Sequence, residues 1–270
     1  MLCVVAQLPN GIDTSVPHTA RVYDYWLGGK DNFAADRRAA EAGYRAFPGV
    51  LQSVQANRAF LARVIRHLVT EAGIRQFLDV GSGLPTVSNT HEIAQEKAPE
   101  SRIVYVDSDP VVLLHARVLL QSSPEGRADF LHADARDPSS ILEQAAATLD
   151  FSQPVAVIML GVLHFLPGDD QVTAITATFR DAVAPGSHLA VSHMANDIEP
   201  EIMAEFARRM RESGVAQDAQ RSREQVTALF AGLDLLDPGV VPVSKWRPDT
   251  DVAANAVTTL WGGVARKPSR

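Results

Sequence analysis

The sequence has a single cysteine, little excess charge and no long apolar segment. Cys3 cannot form an internal disulfide or a thiolate metal cluster, and this fits a reducing, cytoplasmic setting. No run reaches the roughly 20 apolar residues of a membrane helix. The opening MLCVVAQLPN has no basic start, so we expect no signal peptide. The net charge of -7 argues against a nucleic-acid binder, because phosphate contacts need clustered Lys and Arg. His, Asp and Glu do not recur at ligand spacing, so no metal site is predicted.

The chain has the composition of a globular protein with a large core. It has 270 residues, of which 46% are hydrophobic and 21% are charged. From about residue 75, short apolar runs alternate with helical patterns, which is typical of a parallel sheet covered by helices on both faces. The predicted strands are 75–80, 102–107, 128–134, 154–160 and 187–194. The predicted helices between them lie near 88–98, 110–121, 138–148 and 169–183.

The two ends of the chain complete the predicted fold. Near the C-terminus, DLLDPGVVPV and AVTTLWGGVARK predict an antiparallel strand pair, which brings the sheet to seven strands. Upstream, residues 50–72 have apolar residues at helical spacing and predict an amphipathic helix that Gly73 ends. We therefore expect an α/β fold with a doubly wound, mostly parallel sheet in 74–270, and a helical cap in 1–73 that packs on it as part of one compact unit.

The first motif is FLDVGSG, in which Asp79 lies at the end of a predicted strand and Gly81 and Gly83 follow it. In doubly wound sheets, ligands bind at the carboxyl ends of the strands, and glycines allow the backbone to approach them closely. The dinucleotide fingerprint G-x-G-x-x-G is incomplete, because Ser88 and its neighbours supply no third glycine. On its own, this motif is compatible with a binding loop or with a plain strand–helix turn.

Two further strand ends carry acidic residues. Asp107 closes the next strand, 24 residues after Gly83, where a carboxylate is suited to hold the two hydroxyls of a ribose. The alternative is that the acids cap the following helix, but Asp109 before Pro110 explains the cap and leaves Asp107 available. Asp134 ends the third strand. The three sites together are far more specific than any one of them.

This series resembles class I S-adenosylmethionine-dependent methyltransferases. The resemblance implies a Rossmann-like fold that binds S-adenosylmethionine (SAM). It assigns the methionine part to Asp79, Gly81 and Gly83, the ribose to Asp107 with its neighbour Ser108, adenine to Asp134 and the backbone of Ala135, and the floor of the transfer site to Leu160 and Gly161. One departure is Pro85, which stands where a typical member has a third glycine, so the loop must follow a different path.

Longer segments resemble one subfamily. ARVYDYWLGGKDNFAADR, QANRAFLARV, DVGSGLPTVSNTHEIAQ and VYVDSDPVVLLHARVLL are similar to an actinobacterial family of SAM-dependent methyltransferases, long catalogued as a domain of unknown function. The resemblance runs from about residue 17 to the C-terminus. It implies the class I fold and the cofactor, and it does not supply the methyl acceptor.

The segment 17–33, PHTARVYDYWLGGKDNF, is interpreted as a cover for the cofactor site. Gly28 and Gly29 allow a sharp bend that would bring Lys30 over the cofactor. A buried lysine needs a partner, and a SAM carboxylate would be one. Tyr23 would meet the pocket rim or the acceptor, and Arg58, on the next helix, is a second candidate for the carboxylate. Trp26 and Phe33 of this segment are interpreted as anchors of the cap rather than as binding residues.

Methyl transfer requires mainly proximity and a pocket that excludes water. A general base is needed only if the nucleophile keeps a proton at neutral pH. The candidates for this base are His164, which follows the fourth strand, and Tyr23. His18 and His193 are further candidates. The alternative interpretation of His164 is structural: a histidine that makes one hydrogen bond at a strand–helix turn. His91 is interpreted as structural or as part of the cofactor rim.

The sequence therefore predicts a SAM-dependent methyltransferase that acts on an unknown small-molecule acceptor. Two alternatives stay open. A catalytically silent SAM-binding protein would have the same motifs, because methyl transfer requires no obligatory side chain. An NAD-dependent oxidoreductase would share the sheet and the ribose acid, but the incomplete glycine fingerprint, Asp134 and the closing strand pair count against it. The oligomeric state cannot be read from the pattern.

Overall fold

The structure, a computed structural model, describes residues 13–86, 88–119, 121–215 and 219–269. Cys3 and the segment MLCVVAQLPN, on which the disulfide and signal-peptide predictions rest, lie outside the described residues. The strands are β1 (Gln76–Val80), β2 (Arg102–Asp107), β3 (Arg127–His132), β4 (Ala156–Leu160), β5 (His188–Met194), β6 (Asp234–Leu235), β7 (Val241–Pro242) and β8 (Leu260–Arg266). The helices are α1 (Thr19–Trp26), α2 (Ala34–Ala46), α3 (Val50–Thr70), α4 (Thr90–Lys97), α5 (Pro110–Leu119), α6 (Pro138–Ala145), α7 (Asp169–Ala182), α8 (Pro200–Glu212), α9 (Arg223–Ala228) and α10 (Asp251–Ala254).

The strands form one mostly parallel sheet. Its order is β3-β2-β1-β4-β5-β8-β6, with β7 also paired to β8. Strands β1 to β5 are parallel, and β8 runs antiparallel to β5, β6 and β7. The chain leaves β1 toward β2 on one side and returns to β4 on the other, so a crevice opens at the carboxyl ends of β1 and β4. This is the predicted doubly wound fold with its antiparallel C-terminal strands.

The core lies on both faces of the sheet because successive side chains of a strand point to opposite faces. In β1, Leu78 packs in a buried cluster with residues of α6, α7 and α9, such as Phe179. Its neighbour Phe77 packs in a second cluster with α3 and α4, around Phe60. Both faces of the central strands are therefore dry, as their continuous apolar sequence predicts.

A third apolar cluster joins the N-terminal helices to α8. Trp26 of α1 packs against Phe206 of α8, with ring centroids 5.9 Å apart, and its indole nitrogen donates to the carbonyl of Ala40. Gly43 of α2 lies so close that an added Cβ would be 2.8 Å from the sulfur of Met210. A glycine here lets α2 approach α1 and α8 at short range. The N-terminal helices thus pack on α8 and α3 beside the carboxyl ends of the strands.

The structure differs from the sequence prediction in three places. The sheet has eight strands in the described residues rather than seven, because DLLDPGVVPV forms two short strands, β6 and β7, instead of one. Helices α8, α9 and α10 were not predicted, and neither were the separate helices α1 and α2. The predicted helix 50–72 and the predicted strands 102–107 and 187–194 differ from the structure by at most two residues at either end. None of the helices in the described part of the chain is both long and apolar enough to cross a membrane.

Candidate functional site

One cavity of about 510 Å³ lies at the carboxyl ends of the parallel strands, beneath α1 and α3. Most of the residues predicted from the sequence line it: Tyr23, Arg58, Asp79, Gly81, Gly83, Asp107, Ser108, Asp134, Ala135, Leu160 and His164. The other wall comes from α1, α3 and α8 and is mostly apolar. A parallel sheet brings these distant strand ends together because all of its strands end at the same edge.

Asp79, at the end of β1, is a buried carboxylate with one neutral partner. It is 7% exposed, and Oδ2 accepts a hydrogen bond of 2.6 Å from the hydroxyl of Thr90. Burial raises the pKa of Asp79 from 3.8 to about 6, although the hydroxyl and the positive charge of Arg58 act in the opposite direction. The site therefore favours a positive charge next to this carboxylate.

The glycine loop depends on the absence of two side chains. Gly81 has φ +73°, and an added Cβ would lie 2.5 Å from the side chain of Val162, so this glycine lets the loop pack on the segment after β4. Gly83 has φ +68°, and no atom lies within 4 Å of the place where its Cβ would be. Its N–H donates to Asp107 at 2.8 Å. The loop is therefore close-packed below and open toward the cavity.

Asp107, at the end of β2, holds the loop in position. Oδ2 accepts from the N–H of Gly83, and Oδ1 accepts from the N–H of Asp109 at 2.9 Å. Burial raises the pKa of Asp107, and these two N–H groups oppose the rise. Asp109 in turn accepts from the N–H of Val111 at the start of α5, which is the cap that the sequence predicts. Ser108, between the two acids, lines the cavity.

Asp134, after β3, is paired with an arginine that the sequence reading did not single out. Both carboxylate oxygens accept from the guanidinium of Arg136, and this pairing lowers the pKa of Asp134. Arg136 and Ala135 also line the cavity. The spacing Asp-x-Arg after a strand is the signal that could have revealed the pair.

Asn57 is a buried site residue that the sequence analysis did not single out. Its Oδ1 accepts from the hydroxyl of Ser192 at 2.7 Å, and its Nδ2 donates to the hydroxyl oxygen of Tyr23 at 3.2 Å. The Tyr23 hydroxyl in turn donates to the carbonyl of Val54 at 3.2 Å. These bonds connect α1, α3 and β5 at the cavity wall. Burial raises the pKa of Tyr23, so its hydroxyl keeps its proton.

His164 follows β4 and lines the cavity. It is 5% exposed, and burial lowers its pKa well below 6.5, so the imidazole is neutral at physiological pH. Its Nδ1 has no hydrogen-bond partner. The alternative interpretation, a histidine that makes one hydrogen bond at the turn, would use Nε2 and stays a prediction.

His193 is not available as a general base, although the sequence made it a candidate. Its Nδ1 donates to the carbonyl of Met194 at 2.9 Å, and its Nε2 accepts from the buried guanidinium of Arg221 at 2.8 Å. Burial lowers the pKa of His193 to about 4. Arg221 also donates to the carbonyl of Leu166 and to Asp169, so it ties the loop after β4 to β5. Arg221 was not predicted from the sequence, because the residues around it form no recognisable motif or hydrophobic periodicity.

Lys30 lies outside the site, contrary to the prediction. The backbone bends at Gly28 and Gly29, but the bend closes on Asp24, whose carboxylate accepts from the N–H of Asp31 and from the amide of Asn32. Lys30 is exposed and does not line the cavity. The interpretation that this bend folds Lys30 over the cofactor is therefore wrong in this structure.

The other candidates have defined places. Arg58 lines the cavity, and its guanidinium donates to the carbonyl of Ser88 at 3.0 Å. His91 is buried in α4, where its ring and its N–H contact the hydroxyl of Tyr105, so it is structural. His18 lines the cavity and is the N-cap of α1, with its Nδ1 3.1 Å from the carboxylate of Asp109. No cluster of His, Cys, Asp or Glu suited to a metal ion occurs in the described residues.

A buried ion cluster connects α1 to the end of β2. Arg21 lies with its guanidinium 3.2 Å from Asp109 and 3.6 Å from Asp36, and both acids are almost completely buried. Burial would raise the pKa of Asp109, but His18 and Arg21 lower it overall. Asp36 accepts from the N–H of His18 and from that of Phe33, so it also fixes the start of α2.

Comparison with known proteins finds relatives that carry methyltransferase names. A model of an S-adenosyl methyltransferase family matches residues 5–268. A crystal structure of a DUF574 family protein from Streptomyces avermitilis is 41% identical, with a TM-score of 0.91 over 95% of this chain and 99% of that chain. The structure of a proposed methyltransferase from Thermobifida fusca is 42% identical, with a TM-score of 0.89 over 98% and 100% of the two chains.

A curated relative from Mycobacterium tuberculosis is named as a proposed S-adenosyl-L-methionine-dependent methyltransferase. It is 30% identical over 200 residues, which are 70% of this chain and 52% of the relative. The chain therefore matches about half the length of the curated relatives.

Proposed function

This chain belongs to the S-adenosyl methyltransferase family, and on that premise we propose that it transfers the methyl group of SAM to a small-molecule acceptor. The observation that carries the proposal is a cavity with two different walls, one of polar strand ends and one of mostly apolar residues from α1, α3 and α8. Its volume of about 510 Å³ is in the usual range of small-molecule sites, roughly 300–1,000 Å³.

The residues at the strand ends fit the cofactor. When bound, SAM supplies an electrophilic methyl group on a sulfonium and carries an ammonium, a carboxylate, a ribose and an adenine. The buried Asp79 has only a neutral hydroxyl partner and would gain stabilisation from an ammonium. Ser82 lines the cavity with a buried hydroxyl that has no partner, and Gly83 leaves open space beside it. A polar ligand would satisfy these groups.

Each remaining strand-end residue has a role in this proposal. Asp107 and Ser108 hold the ribose, since each oxygen of Asp107 accepts one N–H and keeps capacity for a ligand hydroxyl. Asp134 and the backbone of Ala135 lie at the adenine end. Arg58 is assigned to the carboxylate of the cofactor, and Leu160 to the floor of the transfer site. Lys30 has no role, because it lies outside the cavity.

The cap is part of the site in this proposal. Residues 1–73 form the cap and 74–270 the methyltransferase unit, and the described parts of both line the same cavity. Tyr23 covers the junction between the two walls as a neutral hydrogen-bonding group. His164 faces the same cavity as a neutral imidazole and is assigned to accept a hydrogen bond from an acceptor hydroxyl, while its lowered pKa makes it a weak base.

Two further points belong to the proposal. The net charge of -7 favours a small acceptor over nucleic acid. The single cysteine suits a cytoplasmic location.

Calorimetry with SAM, S-adenosylhomocysteine and NAD tests the proposal. We expect the first two to bind and NAD not to bind. Asp107→Ala removes the ribose acid and should weaken SAM binding at least tenfold. Asp234→Ala, on the exposed strand β6, is the matched control and should bind like the wild type. NAD binding would favour an oxidoreductase, and no binding of SAM or S-adenosylhomocysteine would refute the cofactor.

A second measurement separates an enzyme from a silent binding protein. The purified protein is incubated with methyl-labelled SAM and an extract of small metabolites, and label transfer is followed by mass spectrometry. Label that moves to a metabolite with the wild type, and does not move with Asp107→Ala, supports the enzyme. Tight SAM binding without transfer in any extract favours the silent protein.

A further inference from the structure

The apolar wall of the cavity includes six residues that we call the acceptor arm: Trp26, Val50, Val54, Phe206, Met210 and Val215. All six line the cavity, and all six belong to the buried cluster that joins α1, α3 and α8. They are 9% exposed or less. None of the six carries a charge, so the arm offers van der Waals contact to an apolar molecule.

The acidic residues of the cavity lie at the ends of the strands and not among these six residues. Asp79, Asp107 and Asp134 follow β1, β2 and β3, and Arg136 is paired with Asp134. Arg58 reaches toward the carbonyl of Ser88. An ion inside the acceptor arm would therefore find no opposite charge among the residues that define it. Burying such a charge without a partner is strongly unfavourable.

Polar groups converge where the arm meets the strand ends. The point at which a Cβ on Gly161 would lie is 3.5 Å from Nδ2 of Asn57 and 3.8 Å from Cε1 of His164. The hydroxyl oxygen of Tyr23 accepts a hydrogen bond from the same Asn57 amide. Because Tyr23 donates its proton to the carbonyl of Val54, its oxygen can serve a ligand only as an acceptor. The second N–H of the Asn57 amide can serve as a donor.

From this arrangement we propose that the acceptor arm binds a neutral, largely apolar molecule with one hydroxyl group. The apolar body lies against Trp26 and Phe206, and the hydroxyl lies beside Asn57, Tyr23 and His164. A hydroxyl is both donor and acceptor, so it complements a site that offers both. A carboxylate could use only the donor, and an ammonium would have no anionic partner there. This inference rests on the proposed methyltransferase function and names its class of acceptor.

The test uses two probes of the same shape. 2-Naphthol is neutral at pH 7 and carries one hydroxyl, whereas 2-naphthoate is an anion. Their binding to the full chain is measured by calorimetry in the presence of saturating S-adenosylhomocysteine. We expect 2-naphthol to bind at least tenfold more tightly than 2-naphthoate. Equal binding, or tighter binding of the anion, would overturn the proposal.

A matched pair of variants locates the hydroxyl. Tyr23→Phe removes the hydroxyl that lies in the cavity. Tyr25→Phe removes a hydroxyl from the same helix, α1, that donates to Glu41 of α2 at the surface. We expect Tyr23→Phe to weaken 2-naphthol binding about fivefold or more, and Tyr25→Phe to leave it unchanged. Equal affinities in the two variants would refute the placement of the hydroxyl.

Binding of S-adenosylhomocysteine alone separates the two levels of the argument. If it binds the wild type and 2-naphthol does not, the acceptor class is wrong and the proposed function stands. If S-adenosylhomocysteine does not bind either, the proposed function itself fails. Retained S-adenosylhomocysteine binding in Tyr23→Phe shows that this variant is folded.

Discussion

Replacing Asp79 by asparagine should stabilise the free protein. The carboxyl has a pKa of about 6 in the folded chain and 3.8 as its ordinary value, so the folded state binds more protons between these two values. Stability therefore falls as the pH rises through this window, and the loss is nearly complete at about pH 7. A shift of about two units corresponds to about 3 kcal/mol. Asparagine keeps an oxygen for the hydroxyl of Thr90 and carries no charge to bury.

Urea denaturation at pH 5 and at pH 7.5 measures this effect. We expect Asp79→Asn to unfold with a free energy higher than that of the wild type by about 3 kcal/mol at pH 7.5, and by roughly half of that at pH 5. Asp234→Asn, on the exposed strand β6, should match the wild type at both pH values. A destabilised Asp79→Asn variant, or a difference that does not depend on pH, would refute the reasoning.

The same substitution should weaken the binding of the cofactor. A carboxylate that is unfavourable in the free protein becomes favourable when an ammonium lies beside it. The affinity of the wild type for SAM should therefore fall by about tenfold between pH 7.5 and pH 5, as Asp79 takes up its proton. Asp79→Asn should bind weakly at both pH values. Calorimetry across this range checks the sign, and a flat wild-type profile would contradict it.

The other predictions concern packing and the loops. Gly83→Ala and Gly73→Ala both place alanine at φ +68° in open space, so each should lower the free energy of unfolding by about 1–2 kcal/mol. Only Gly83→Ala should also weaken SAM binding in calorimetry. Gly43→Ala should lose about 1–3 kcal/mol in urea denaturation, because its Cβ would press on Met210; equal stability would contradict this contact. Arg221→Met should lose at least about 2 kcal/mol, since it leaves buried acceptors without a donor, and an unchanged thermal midpoint would count against that role.

The strand ends could be predicted because their signal is local. Asp79, Asp107 and Asp134 each follow an apolar run, and a parallel sheet brings such ends to one edge. The place of Lys30 could not be predicted in this way. The prediction assumed that the lysine is buried, whereas the carboxylate of Asp24 closes the bend and leaves Lys30 at the surface.

Asn57 was missed because its partners are distant in the sequence. It bonds to Ser192, which is 135 residues away, and no periodicity connects the two. A weak signal does exist, since Asn57 interrupts the apolar face that Val54 and Leu61 share on α3. Arg221 lacks even that signal, because it lies between helices and its burial depends on the loop after β4. Such residues are found only when the tertiary contacts are known.

The buried cluster of Arg21, Asp36 and Asp109 has a consequence for protein engineering. Its members belong to α1, to α2 and to the turn after β2, where the N–H of Asp109 donates to Asp107. A chimera that takes the first two helices from another protein would bury Asp109 without its arginine unless the donor supplies one at the same place. The N-terminal helices can therefore be exchanged only together with Asp109, and recombination between relatives should take both pieces from one parent.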